Sequence, residues 1–311
     1  VFAEGEDERV LRAANAMTEE MTDRPILIGR PDVIEGRAER AGLPMRPGRD
    51  FEIVNPENDP RYRDYWQSYH EIMQRQGVTP DLAKAILRTN TTAIAAVAVH
   101  QGDADSLICG TFGQYLWHLN YVKQILGTPE RQPVGALSLM ILEDGPLFIA
   151  DTHIHAEATP QQIVETAIAA ARHMRRFGVT PEMALCSSSQ FGNLNTLSGQ
   201  NMRAALDLLD ARNPDFACGG EMTVDSALDP SLRARVFPNA RFAGPANALI
   251  FASTDAASAV RNVLTTRAYQ LEVGPILMGI GNRAHIVTPS ITARGLLNIS
   301  ALAGTPVAQY E

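Results

Sequence analysis

Short strand-like segments alternate with helix-like segments along most of this chain, and that alternation restricts the possible folds more than any other feature. Residues 6–22 place apolar side chains at helical spacing, and residues 25–28 then form an apolar strand ended by Gly29. Further strand-like segments are predicted at 106–109, 183–187, 247–252 and 274–280. Repeated strand, helix and strand predict an α/β fold in which helices cover an open, largely parallel sheet.

Several local signals refine this prediction. The Glu143-Asp-Gly turn predicts two antiparallel strands, at 136–142 and 147–155. Thr159, with glutamine three residues later and proline between them, is typical of a helix that begins with a capping box. The polar and aromatic residues 55–69 are interpreted as a surface excursion, because turn signals interrupt them.

The composition excludes some classes of function. The 311-residue chain carries a formal net charge of -8 and has no long Lys/Arg run, which argues against wide contact with nucleic acid or anionic membranes. Cys109, Cys186 and Cys218 are few and far apart, which indicates reduced thiols and a cytoplasmic location. No apolar run approaches ~18 residues, so no membrane span is predicted. Because the chain opens in a strand-like segment without an initiator methionine, we expect it to be a fragment of a longer protein.

Two short motifs have competing interpretations. Asp151, His153 and His155 would share one face of a strand, as in a metal site, but no further ligands are spaced for a metal, so an edge strand with hydrogen-bonded histidines is favoured. The Gly279-Ile-Gly281 segment follows a strand, as dinucleotide-binding glycines do. A β-like, proline-broken segment comes next instead of a helix, which favours a simple glycine turn.

Two segments are candidate anion sites. Residues 187–193, Ser-Ser-Ser-Gln-Phe-Gly-Asn, follow a strand and offer hydroxyls, amides and a glycine bend; an ordinary helix-capping loop is the alternative. Near the end of the chain, Arg294 stands beside a glycine at the start of an apolar, helical segment. A guanidinium near a helix start suits a phosphate-bearing ligand, although a surface ion pair is the alternative.

The sequence resembles the phosphate acetyl/butyryltransferases, and most closely the phosphotransacetylase-like domain on the C-terminal side of bacterial NADP-dependent malic enzymes. The resemblance covers essentially the whole chain and is carried by the segments 2–14, 101–110, 150–152, 220–228, 246–251 and 273–298. It implies two three-layer αβα domains with mainly parallel sheets and a cleft between them, as in phosphotransacetylases and isocitrate-dehydrogenase-like proteins. The expected domains are residues 1–130 with 285–311, and residues 131–284.

In those transferases a Ser-x-Ser-Thr-Lys-Gly-Ser loop and an Asp-Leu-Ser-Arg-Gly segment line the cleft. The resemblance assigns ligand contacts to the matching residues of this chain, which are Arg294, Asn298, Ser187, Ser189 and Asn193. No catalytic residue and no metal ligand are assigned.

This chain departs from the family at the groups that perform the chemistry. Phe191 stands where the lysine would be, and Ala293 replaces the serine before Arg294. An aspartate expected shortly after that arginine has no counterpart. The positions of two family arginines fall at Asn120 and near Met73, with Arg75 close by. Acyl transfer needs cations, an oxyanion donor and a base, each typically contributing about a hundredfold or more, so we expect binding without turnover.

The resemblance therefore predicts a regulatory domain of an NADP-dependent malic enzyme, whose parent chain converts malate to pyruvate by oxidative decarboxylation. The domain would bind acetyl-CoA as an allosteric effector and form homo-oligomers. It would need no cofactor of its own, because NADP and the divalent metal are expected in an N-terminal malic-enzyme core of the same chain. An active phosphate acyltransferase and a purely structural oligomerisation module are the alternatives.

Overall fold

The structure, a computed structural model, describes residues 1–21, 24–127, 133–267 and 271–305. Their contacts divide them into two compact units, residues 1–127 with 280–305 and residues 133–279. The predicted boundary at 130/131 lies outside the described residues. Residues 280–284 belong to the first unit and not, as the sequence suggested, to the second, because the strand that begins at Ala284 pairs with a strand of the first unit.

The elements of the chain up to residue 127 are α1 (Glu8–Glu20), β1 (Ile26–Ile28), α2 (Pro31–Arg40), β2 (Glu52–Val54), α3 (Tyr62–Met73), α4 (Pro80–Thr89), α5 (Thr91–Gln101), β3 (Leu107–Cys109) and α6 (Tyr115–Leu126). Those that follow are β4 (Gly135–Leu142), β5 (Gly145–Ala150), α7 (Pro160–Arg176), β6 (Glu182–Cys186), α8 (Leu197–Asp210), β7 (Ala217–Met222), α9 (Val224–Leu228), α10 (Pro230–Val236), β8 (Ala248–Phe251), α11 (Thr254–Arg267), β9 (Leu271–Met278), β10 (Ala284–Ile286) and α12 (Ala293–Gly304).

The first unit is built on short parallel strands. β1 pairs with β2, β10 pairs with β3, and Phe2 bridges the two pairs by contacting Leu27 and Ile108 in parallel register. α5 is buried from Thr92 to Val99, as its run of small and apolar residues requires. Helix α12 packs on α1 and so brings residues 293–304 against the first helix of the unit.

The second unit contains a six-stranded sheet in the order β7-β6-β8-β5-β4-β9. The strands from β7 to β5 are mutually parallel, whereas β4 runs antiparallel to both of its neighbours. Successive side chains on a strand face opposite ways. Ile149 accordingly joins a core with Ala257 of α11, while Phe148 contacts Phe177 at the end of α7. Helices thus cover both faces of this sheet, which confirms the predicted α/β class.

Local sequence signals account for several boundaries. The Thr159 hydroxyl accepts from the backbone of Gln162, and the Gln162 side chain accepts from the Thr159 backbone, so the predicted capping box is present. The Glu143-Asp-Gly turn joins β4 to β5 as predicted.

Two predictions were wrong. Within 55–69, residues from Tyr62 onward form helix α3, which continues to Met73 and buries Tyr65 and Tyr69. The strand expected over 147–155 ends at Ala150. No single helix among the described residues is long and apolar enough to cross a bilayer. Only α4 and α5 taken together have the length and composition of a membrane span, and this pair is sharply bent.

Candidate functional site

The loop after β6 contains three of the predicted ligand contacts, Ser187, Ser189 and Asn193. It is held from within by Glu221 of β7, which is 1% exposed. One carboxylate oxygen of Glu221 accepts from the Ser189 hydroxyl at 2.6 Å and from the backbone N–H of Gly192 at 2.8 Å. Glu221 is therefore the residue that fixes the conformation of this loop.

The same carboxylate is paired with a cation. Arg203 of α8 donates a hydrogen bond from Nη1 to the same oxygen of Glu221, at 2.6 Å. Burial alone would raise the pKa of Glu221, but the hydrogen bonds from Ser189 and Gly192 and the charge of Arg203 outweigh it and hold the pKa below its usual range. Glu221 is thus an ionised acceptor, and not a proton donor, at neutral pH.

Each predicted contact in the loop has a distinct environment. Ser189 is fully buried, and the nearest acceptor of its hydroxyl is Glu221 at 2.6 Å, with the Leu194 carbonyl at 3.0 Å, which makes it a support of the loop. The Ser187 hydroxyl accepts from the backbone N–H of Ser189 at 3.1 Å and retains its own proton for another acceptor. Asn193 is exposed; its side-chain oxygen accepts from the backbone of Gln190 at 2.7 Å, and within the described residues its amide N–H groups have no acceptor, so they can donate to a ligand.

Phe191 stands where the resemblance leads one to expect a lysine. Its backbone is left-handed, with φ of 48°, and its ring stacks on Phe237 with centroids 4.4 Å apart. The side chain also packs against the apolar core of the second unit. The Phe191 side chain is apolar and packs into the core, so the loop offers a ligand no positive charge at this position.

The start of α12 carries the other two predicted contacts. Thr292 caps the helix by accepting from the backbone N–H of Gly295 at 3.0 Å. The side chain of Arg294 is 63% exposed and lies 3.5 Å from the Glu20 carboxylate, an ion pair of the kind that contributes little in solvent. Asn298 is half-buried one turn later, on the same side of the helix. The guanidinium, the amide and the helix N-terminus together suit an anionic group.

The structure thus brings the predicted contacts together in two groups. Arg294 and Asn298 share a helix of the first unit, and Ser187, Ser189 and Asn193 share a loop of the second. Sequence reasoning did not single out Glu221 or Arg203 as residues that organise the loop. Glu221 did lie within the segment 220–228 that carried the resemblance, which was the available signal.

The two positions expected to have lost family arginines offer no substitute charge. Asn120 is exposed on α6, and its side-chain oxygen accepts from Gln124 at 3.3 Å. Met73 is 3% exposed, with its side chain in the core beneath α3. Arg75 does retain a positive charge on the exposed turn that follows α3.

The segment considered as a metal site has a different geometry from the one expected. Asp151 follows the end of β5, and its carboxylate accepts from the backbone N–H groups of His153 and His155 and from Nδ1 of His155 at 2.6 Å. Burial lowers the pKa of His153 to about 4, so that ring is neutral at pH 7. Among the residues that the structure describes, no group of three or more His, Cys, Asp or Glu side chains is placed to hold a metal ion.

Comparison with known proteins decides the family. The sequence profile of the phosphate acetyl/butaryl transferases matches residues 1–304. The chain belongs to this family. Solved members share the fold: a phosphotransacetylase from Streptococcus pyogenes superposes with a TM-score of 0.86 at 24% identity, over 97% of this chain and 91% of the other.

Within this family the chain is similar both to malic enzymes and to a free transferase. It is 49% identical to an NAD-dependent malic enzyme of Rhizobium meliloti and 42% identical to an NADP-dependent malic enzyme of Salmonella typhimurium, over 97% of its own length in both cases. It spans 40% of the length of each of these malic enzymes. It is also 28% identical to a phosphate acetyltransferase of Corynebacterium glutamicum, covering 97% of this chain and 91% of that protein.

Proposed function

We propose that this chain is the acetyl-CoA-binding regulatory domain of a malic enzyme and that it does not transfer acyl groups. The observation that carries the proposal is the contrast between its relatives. Identity reaches 49% with a malic enzyme of which the chain spans 40%, and falls to 28% with a phosphate acetyltransferase of which it spans 91%. The sites for malate, the nicotinamide cofactor and the divalent metal then belong to the remainder of a longer chain.

The site residues support binding without chemistry. An acyl transfer between phosphate and a thiol needs cations on the phosphoryl oxygens, a donor for the carbonyl oxyanion and a base for the thiol. The side chains of Phe191 and Ala293 supply none of these, and Asn120 supplies no positive charge. A CoA ester needs less, because Arg294 and the N-terminus of α12 can attract phosphate oxygens while Asn298, on the same helix, donates a hydrogen bond.

Regulation requires that acetyl-CoA bind one state of the enzyme better than another. We propose that homo-oligomers formed through these domains provide the two states. The sign of the effect follows from which oligomeric arrangement binds the effector more tightly.

The test has two parts. Isothermal titration of this chain with acetyl-CoA should give saturable heat, and Arg294→Ala should weaken binding about tenfold, the loss of one charge-assisted contact. Arg267→Ala is the control, since Arg267 is an exposed arginine of the second unit outside the proposed contacts. In the longer enzyme, acetyl-CoA should change the rate of malate-dependent reduction of the nicotinamide cofactor, and Arg294→Ala should remove that response.

A free phosphate acetyltransferase is the second candidate, favoured by the near-complete coverage of the Corynebacterium glutamicum enzyme. CoA-dependent consumption of acetyl phosphate by the purified chain separates the two candidates. Robust turnover would establish the transferase, whereas binding of acetyl-CoA without turnover supports the regulatory domain. No heat at millimolar acetyl-CoA would leave an oligomerisation module.

A further inference from the structure

A pocket with anion-binding character, separate from the candidate contacts described above, is lined only by residues of the first unit. It has a volume of about 520 Å³ and is lined at one side by Ile28 and Gly29, where β1 ends. Phe112, which follows β3 and is 60% exposed, also lines it. The carboxyl ends of parallel strands are where ligands bind in sheets of this kind. Arg294 and Asn298, the candidate contacts on α12, are not among its lining residues.

Three arginines line this cavity: Arg30, Arg37 and Arg88. We call it the arginine pocket. Arg30 donates hydrogen bonds from Nε and Nη2 to the two carboxylate oxygens of Glu6, at 2.9 and 2.8 Å. Arg37 donates Nη1 to the backbone carbonyl of Glu6. Both guanidinium groups are therefore fixed on the same residue.

Arg88 is held in place by other residues, Glu57 and Tyr62. Its Nη1 donates to the backbone carbonyl of Glu57, and its guanidinium lies over the Tyr62 ring, 4.0 Å from the centroid. Stacking and one hydrogen bond hold the planar group in place and leave its other N–H groups to a ligand. A preorganised arginine loses less side-chain entropy when it binds an anion.

The charges of the lining are only partly compensated. Glu6 is paired with Arg30, and Asp7, which also lines the pocket, is paired with Arg9 at 2.7 Å. By contrast, neither Arg37 nor Arg88 forms an ion pair with any carboxylate in the part of the chain that the structure describes; both donate to carbonyl oxygens instead.

The acidic groups left in the lining are Glu57, which is exposed, and Glu4. Burial raises the pKa of Glu4 to about 7, which reduces its negative charge near neutral pH. Arg37 and Arg88, which have no carboxylate at ion-pair distance among the described residues, therefore face two acidic groups, of which Glu4 becomes protonated below about pH 7; the Glu6 carboxylate attracts Arg37 as well as Arg30.

A helix terminus adds to this positive character. Thr91 lines the pocket and is the first residue of α5, a helix of 11 residues. Asn90 caps this helix through the backbone N–H of Ala93, so the earlier N–H groups of the first turn have no acceptor within the helix. Such termini favour anions, and phosphate groups in particular.

We propose that the arginine pocket binds a phosphate-bearing small molecule, with Arg37 and Arg88 donating directly to phosphate oxygens. A cavity of this size accommodates a pyrophosphate group together with part of the molecule that carries it. The phosphate groups come either from a CoA ester or from a free phosphate compound, since the recognition chemistry is the same. The pocket does not depend on the acetyl-CoA contacts proposed at Arg294.

Titration of the 311-residue chain with inorganic pyrophosphate tests the proposal. We expect saturable binding that Arg37→Ala and Arg88→Gln each weaken by about tenfold, because each removes a charge-assisted contact. Arg40→Ala is the matched control: it removes an exposed arginine from the same helix as Arg37 but outside the lining, with the same change in net charge. Circular dichroism and thermal melting of each variant verify that it is folded.

The result with CoA then identifies the source of the phosphate. If Arg37→Ala weakens the binding of both CoA and pyrophosphate, the pocket holds phosphates of the CoA ester. If CoA binding is unchanged while pyrophosphate binding is lost, the pocket is a separate phosphate site. Both results support the pocket. It is ruled out if pyrophosphate fails to bind at about 10 mM, which is tenfold a Kd of about 1 mM, or binds all variants equally. Neither failure bears on the proposed function, which Arg294→Ala tests.

Discussion

Glu4 combines deep burial with a titratable carboxyl group. It is 6% exposed, and both of its carboxylate oxygens accept from the backbone N–H of Gly110 at 3.1 Å. Burial raises the pKa of Glu4 to about 7, although hydrogen bonds from Gly110 and Thr111 act in the opposite direction. The folded protein therefore holds this proton to a higher pH than the unfolded chain does, where a glutamate has a pKa of about 4.3.

This difference makes stability depend on pH. The stabilising contribution of protonated Glu4 is complete below about pH 4 and is lost as the pH rises through about 7, a change of roughly 3 kcal/mol. Glu4→Gln does not titrate. Urea unfolding at pH 5 and pH 8 should show that the stability of the natural chain, relative to Glu4→Gln, falls by about 2–3 kcal/mol between the two.

Comparing two chains at each pH cancels the contribution of groups that titrate in both. His153 and His173, for example, have pKa values lowered to about 4 by burial and destabilise both proteins equally on acidification. Equal pH dependence of the two unfolding free energies would contradict the assignment to Glu4.

At the same scale, the candidate site shows what sequence alone reveals about single residues. The resemblance identified Ser189 from its position in a motif, but the hydrogen bond that determines its role joins it to Glu221, 32 residues away. Partners so distant in sequence become neighbours only through the pairing of β6 with β7. The residue types of the loop were predictable from the sequence, whereas the direction of each hydroxyl proton was not.

At the scale of elements, signals between near neighbours were sufficient. The capping box at Thr159 and the turn between β4 and β5 each involve residues within a few positions of one another, and both were predicted. Helix α3 was missed because polar and aromatic residues with turn signals suggested a loop. Its apolar contacts are nevertheless at helical spacing, since Tyr65, Tyr69 and Met73 are each four residues apart and all are buried.

The buried face of α3 should dominate its contribution to stability. Tyr69 is 1% exposed, so Tyr69→Ala removes a large core side chain and should cost about 3–5 kcal/mol. Glu71 lies on the exposed face of the same helix, and Glu71→Ala should change the unfolding free energy by less than about 0.5 kcal/mol. Urea unfolding of both variants measures the contrast. Similar losses for the two would mean that α3 does not pack through this face.

At the scale of the whole molecule, the two units differ in how the chain builds them. All six strands of the second unit lie within residues 135–278, so one continuous segment contains the complete sheet. The first unit needs two separate segments, because β10 pairs with β3 and α12 packs on α1. This division was inferred from the resemblance.

The difference in continuity predicts different behaviour of fragments. Residues 133–279 expressed alone should melt cooperatively and give dispersed amide resonances. Residues 1–127 alone should not, since they lack the four apolar side chains that α12 buries, Leu296, Leu297, Ile299 and Leu302. At about 1.5–3 kcal/mol for each, that loss is comparable to the entire stability of a typical domain.

A matched fragment separates this cause from general instability. Residues 1–127 joined to 280–305 by a flexible Gly/Ser linker should recover cooperative melting, because the linker restores the pairing of β10 with β3 and the packing of α12 on α1. The same linked fragment with Leu296→Asp places a charge at a fully buried position and should remain unfolded. Cooperative folding of residues 1–127 without the returning segment would show that β10 and α12 are dispensable, and the first unit would then be a continuous domain like the second.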